Sequence, residues 1–142
     1  MFILDTNVVS DLRKVRSGAA DANVARWADS VDAGELFLST ITALELELGV
    51  LLAERKDARR GSHLRAWLDG QVMPEFQDRI IPVDAAVARR CAKLHVPDPR
   101  AERDALIAAS ALVHGMTIVT RNVADFEPLA VALVNPWLHA PG

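Results

Sequence analysis

Residues 103–126 read RDALIAASALVHGMTIVTRNVADF, and the two halves of this stretch follow different rules. From 102 to 114 Ala, Leu, Ile and Val dominate with no broad polar stripe, the composition of a helix covered on most sides. Gly115 follows, the residue type that most easily makes the left-handed turn ending a helix. The next five residues, MTIVT at 116–120, form a short apolar run of the kind that makes a buried strand. A covered helix running straight into a buried strand is half of a parallel crossover.

The same alternation extends in both directions. FIL near the N-terminus, ELFLS at 35–39, RIIPV at 79–83 and AVALV at 130–134 are further strand candidates. Between them, three-to-four-residue apolar spacing predicts helices over 22–32, 40–56, 60–77 and 84–95, the last stopped by Pro97 and Pro99. Strands separated by helices predict a three-layer α/β/α domain with a central parallel sheet. With 142 residues and 51% hydrophobic content, the chain has material for one substantial core, so residues 1–142 are expected to form a single unit.

Composition narrows the functional classes. A net charge of −3 gives no global attraction to nucleic acid or to an anionic membrane, so such a partner must be met by a local patch. The single cysteine, Cys91, cannot form an internal disulfide and stands at helical spacing from Val87 and Leu94. A reduced, cytoplasmic setting is expected. No basic-then-apolar leader opens the chain, and no apolar run approaches the roughly 20 residues that cross a bilayer, so no membrane partner is expected.

In a parallel α/β sheet, ligands bind beyond the carboxyl ends of the strands. Asp5 stands there, directly after FIL; it is also placed to cap a helix beginning near Thr6. In STITALELELGV at 39–50, Glu45 shares a helix face with Ile41, Leu48, Gly49 and Leu52. A carboxylate on an apolar stripe is costly unless paired, protonated or bound to a cation. Glu47 aligns instead with Thr40 and Glu54 and reads as an ordinary solvated charge. Asp104 falls in the first turn of the apolar helix, where the helix dipole favours it and where burial of the helix delivers it to an interior cleft. Thr120 and Asn122 lie just past the MTIVT strand, with Asp125 one turn further on; a turn-forming role would account for Asn122 and Asp125 equally well. Asp5, Glu45 and Asp104, with Asn122 or Asp125, compose an all-oxygen set that suits Mg²⁺ or Mn²⁺. His63, His95, His114 and His139 are scattered, which argues against zinc.

The opening stretch, with FILDTNVVS at 2–10, STITALELELGV and VNPW at 134–137, resembles the successive motifs of PIN-domain proteins. Within that family it is most similar to the VapC toxins of bacterial toxin–antitoxin pairs and their FitB-like relatives, in order from Met1 to near Trp137. The resemblance implies a Mg²⁺- or Mn²⁺-dependent endoribonuclease acting on RNA and neutralised by a VapB-like antitoxin. It also implies contact with DNA only through that antitoxin, and a homodimer. By position, Asp5, Glu45 and Asp104 correspond to the family's first three acids. Asn122 stands where many relatives carry Asp, and Asp125 offers a nearby carboxylate. Thr6, Asn7 and Thr120 match polar positions that orient the acids. Asp5 and Asp104 are the expected direct metal ligands, with Glu45 and Asp125 or Asn122 as outer ligands or orienters of the attacking water.

Residues 53–65, AERKDARRGSHLR, bring Arg55, Lys56, Arg59, Arg60 and Arg65 together and could track a phosphate backbone, although the interspersed Glu54 and Asp57 equally suit a solvated surface. With no Tyr, a base-stacking platform is not expected. Two rivals stand beside the nuclease. A phosphotransferase of the haloacid dehalogenase type would want a second Asp two residues after Asp5, where the chain has Asn7. A binding protein, with a PIN scaffold acting mainly in an antitoxin–operator DNA complex, is kept open by Asn122. Trp27 and the apolar positions in 24–31 and 46–52 would supply its partner groove, or else the core.

Overall fold

The computed structural model describes residues 1–141; Gly142, the last residue of the expected 1–142 unit, lies outside the described residues. Five short strands form one sheet: β1 (Phe2–Leu4), β2 (Leu36–Ser39), β3 (Ile80–Ile81), β4 (Thr117–Val119) and β5 (Leu133–Val134). Every pairing is parallel and the spatial order is β3-β2-β1-β4-β5. The chain therefore builds outward from β1 on one side, then returns to build outward on the other. The point of reversal lies between β1 and β4, where open parallel sheets place their ligand crevice.

Alternation along the strands divides the core. Leu4, Leu38 and Val119 face one layer with Val8, Trp27, Leu46 and Leu68, whereas Ile3 and Ile118 face the other with Ile107, Ala108 and Phe126. The first layer contains α1 (Thr6–Leu12), α2 (Ala22–Ser30), α3 (Thr40–Lys56) and α4 (Ala58–Trp67). The second is dominated by α7 (Glu102–His114), preceded by α6 (Ala85–Leu94). Trp27 is core, packed edge-on against Phe2 with ring centroids 5.4 Å apart. Among the described residues no helix is long and apolar enough to cross a membrane.

Local chemistry sets the helix ends. Asp5, Ser39, Asp57 and Asp84 each cap the following helix by accepting backbone N–H groups, and Gly115 closes α7 at φ 64°. Gly61 lets α4 approach α3 so closely that an added Cβ would lie 2.4 Å from the Glu54 Cα.

Three expectations need correction. The helix predicted over 60–77 runs as one helical stretch over 58–76 but is not uniformly α: α4 passes into a π-helical turn at Leu68–Val72 and then into the short α5 (Met73–Phe76), with Pro74 at its start. Along α3 the core takes Thr42, Leu46 and Val50, while Leu44, Leu48, Leu51 and Leu52 are exposed. Glu45 thus sits at the border of a solvent-facing leucine stripe instead of on a core face. Glu47 is not a free solvated charge either. Arg65 grips both its oxygens at 2.8 and 2.6 Å, and these bonds lower its pKa from the ordinary carboxylate value.

Candidate active site

Asp5 follows β1 and is 7% exposed. Its backbone N–H donates to the Val119 carbonyl at 2.9 Å, continuing the β1–β4 ladder by one residue. Its Oδ1 accepts the Thr6 N–H at 2.9 Å, so the capping role is real. Its Oδ2 serves a second purpose: it accepts the Thr120 hydroxyl at 2.8 Å and the Asn7 amide at 3.3 Å. The Asp5–Thr120 bond spans the point where strand order reverses.

This anchoring extends to both sides. The fully buried Thr120 hydroxyl also accepts the Asn122 N–H at 3.0 Å, and the Asn7 side-chain Oδ1 accepts the Arg121 N–H at 3.2 Å. Thr6 turns its hydroxyl the other way and donates to Glu45 Oε1 at 2.9 Å. Thr6, Asn7 and Thr120 are therefore bonded to the acids or to one another. Glu45 has one further neighbour, the Arg103 guanidinium at 3.7 Å from Oε2.

Asp104 enters from the first turn of α7, where Ala101 at the cap position supplies no side-chain bond. Its carboxyl is pushed up to about 6, first by burial and then by the negative charges of Asp5, Asp125 and Glu45. No hydrogen bond or ion pair reaches its carboxylate among the described residues. Four acids from four elements therefore share one space. Asp125 supplies the fourth charge, from the exposed start of α8 (Val123–Phe126). Asn122 contributes its backbone N–H, while its exposed side chain makes no cap bond. Crowded carboxylates with one forced toward its neutral form are what a divalent cation relieves, and an all-oxygen donor set fits a hard ion such as Mg²⁺.

The family model for the PIN domain matches residues 2–130. The chain belongs to the PIN-domain family. It is 36% identical over 143 residues to Toxin FitB of Neisseria gonorrhoeae, covering 96% of this chain and 99% of that protein. It is 34% identical over 142 residues to VapC ribonuclease Y4jK of Sinorhizobium fredii, covering 96% and 98%. Among solved structures, FitAB bound to the IR36 DNA fragment contains a chain that superposes with a TM-score of 0.87 at 33% identity, covering 100% of this chain and 99% of that one.

Beside the acids, this PIN fold carries cations that sequence reading missed. Arg103, one residue before Asp104, reaches across to Glu45, and a cation directly before a cleft acid is a signal readable in the sequence. A groove of ≈230 Å³ is lined by Thr6, Glu45, Arg13, Arg60 and Trp67. Arg60 belongs to the anticipated basic stretch, but Arg13 comes from the end of α1. Arg65 is unavailable for phosphate, since Glu47 and Glu54 hold it, the latter at 3.0 Å.

Proposed function

We propose that this chain is a Mg²⁺- or Mn²⁺-dependent endoribonuclease, the toxin of a VapBC-type toxin–antitoxin pair, with residues 1–142 acting as one unit in the cytoplasm. The observation that carries the reading is the convergence of Asp5, Glu45, Asp104 and Asp125, with Asp104 crowded until its carboxyl titrates at about 6. Asp5 and Asp104 would hold the cation. When bound, the ion supplies a water acidic enough to give hydroxide near neutral pH and a counter-charge for the scissile phosphate. The chain's own residues do the positioning. Asp5 is held rigid by the Thr6, Asn7 and Thr120 donors. Glu45, oriented by Thr6 and Arg103, accepts a hydrogen bond from the attacking water. Asp125 adds the charge that completes the set, which weakens the case for a scaffold that has lost cleavage. The RNA backbone would pass along the groove past Arg13 and Arg60.

The names of the relatives support the partner assignment: FitAB binds DNA as an assembly, and by analogy a VapB-like antitoxin would cap this chain and mediate DNA contact. The unpartnered Leu44, Leu48, Leu51 and Leu52 on α3 support a homodimer, because such a stripe is costly to leave in water. The test is cleavage of a structured RNA by purified protein with Mg²⁺ or Mn²⁺, then with chelator. Cutting that stops with chelator and is absent in Asp104→Asn supports the nuclease. No cutting with either metal, alongside retained antitoxin binding, would establish the scaffold instead.

A further inference from the structure

Away from the acid cleft, the junction of α6 and α7 gathers three side chains of different chemistry. Cys91 and His95 lie one turn apart at the end of α6, and Glu102 is the first residue of α7. Cys91 Sγ is 3.7 Å from His95 Nε2 and 4.0 Å from Glu102 Oε1, and His95 Nε2 is 3.4 Å from Glu102 Oε2. One ligand atom from each of the three lies within 4.8 Å of the others. We propose that Cys91, His95 and Glu102 form a site for a thiophilic divalent cation such as Zn²⁺, independent of the acid cleft.

The distances carry the proposal. Zinc bonds of about 2.3 Å to sulfur and 2.0–2.2 Å to nitrogen and oxygen, at tetrahedral angles, set ligand-to-ligand edges of about 3.3–3.6 Å. The sulfur–nitrogen edge of 3.7 Å and the nitrogen–Oε2 edge of 3.4 Å come close to that span; the carboxylate oxygen 4.0 Å from sulfur is Oε1, and with one atom taken from each residue the three lie within 4.8 Å, so rotation of the exposed Glu102 carboxylate closes the face. The fourth position is left for water. A sulfur, an imidazole and a carboxylate are a donor set that zinc accepts and Mg²⁺ does not. Access comes from the carboxylate side: Cys91 is 3% exposed, but the Glu102 side chain is 71% exposed.

One bond must change for the ion to enter. His95 Nδ1 accepts the Arg100 N–H at 3.0 Å, which puts the ring proton on Nε2. Coordination through Nε2 moves that proton to Nδ1 by way of solvent, releases the Cys91 thiol proton to water, and frees the Arg100 amide. Binding is thus linked to the 96–101 segment that leads into Glu102 and Asp104. Glu102 and Asp104 stand about 200° apart on the helix, so the two sites face opposite sides of one turn.

Titration of the full-length, chelator-treated protein with Co²⁺ tests this. The expected result is a thiolate-to-cobalt charge-transfer band that saturates at one equivalent, vanishes on adding Zn²⁺, and survives a large excess of Mg²⁺. The acid cleft holds no sulfur and cannot give this band. Cys91→Ser should lose it, and Glu102→Gln, altered at an exposed side chain, should weaken Co²⁺ binding about tenfold or more. The Arg100 amide resonance should shift on Zn²⁺ addition in the wild-type chain. Absence of the band at one equivalent, or unchanged affinity in Glu102→Gln, overturns the proposal whatever the outcome of the RNA cleavage assay.

Discussion

Asp5, on the sheet side of the cleft, and Asp104, on the helix side, carry the same carboxyl group into opposite surroundings. Asp5 is buried and accepts the Thr6, Thr120 and Asn7 donors, so its charge is answered by the protein itself. Asp104 meets no donor among the described residues and faces three other acids. The sheet wall is built as structure and would keep its shape with or without a cation. The helix wall is left electrostatically open, and its charge is answered only by something that arrives. In the proposed nuclease, the acid set apart is marked by its missing partner more than by burial.

The largest expected effect comes from neutralising the open wall. Asp104→Asn should reduce metal-dependent RNA cleavage at least ~100-fold, since losing even a metal's outer partners costs about 10–100-fold. The melting temperature of the metal-free protein at pH 8 should stay the same or rise, because a like-charge contact is removed. A lower melting temperature would break the comparison. The sheet wall should respond the other way. Thr120→Val leaves Asp5 Oδ2 and the Asn122 N–H short of a partner, and denaturant unfolding should show a loss of about 1–3 kcal/mol. Cleavage should fall too, by about 10–100-fold, because Asp5 loses its orientation. Unchanged stability in Thr120→Val would remove the distinction between the walls.

Much of this is legible in the sequence. Asp5 ends an apolar run, Glu45 sits within one and Asp104 opens one, and alternating strand and helix patterns place their segments near one sheet edge. Periodicity could not say which side of α3 is covered. Leu44, Leu48, Leu51 and Leu52 form as regular a stripe as Thr42, Leu46 and Val50, and only the packing of α4 and the sheet decides between them. The Glu47–Arg65 clasp joins residues 18 apart on two helices, a separation at which spacing rules are silent. The same blindness hid Cys91, His95 and Glu102: two lie one turn apart on α6, but the third arrives only when α7 folds back. Asp125 was legible as a charge near the edge. That its charge reaches Asp104 depends on the turn after β4, where Asn122 spends its N–H on Thr120.

A smaller effect concerns pH. With a folded-state value of about 6 against the ordinary 3.8, Asp104 binds more protons in the folded chain than in the unfolded one between those limits. The sign follows: stability of the metal-free protein should decline as pH rises through about 4 to 6, then level off. Melting curves across that window check it, and Asp104→Asn should flatten them. Saturating Mg²⁺ should also flatten the decline, since the cation answers the same charge.

The finest prediction ranks the neighbours. After burial, the charges raising the Asp104 value act in the order Asp5, Asp125, Glu45. Asp5 cannot be tested cleanly, because replacing it also strips the bonds to Thr6, Thr120 and Asn7. The two remaining acids can. Asp125 is exposed and its side chain makes no bond among the described residues, whereas Glu45 is already partly answered by Arg103 at 3.7 Å. Asp125→Asn should therefore lower the Asp104 midpoint, read by carboxyl NMR in the metal-free protein, more than Glu45→Gln does. Should Glu45→Gln have the greater effect, Arg103 is not screening Glu45 and the helix wall has a different dominant neighbour.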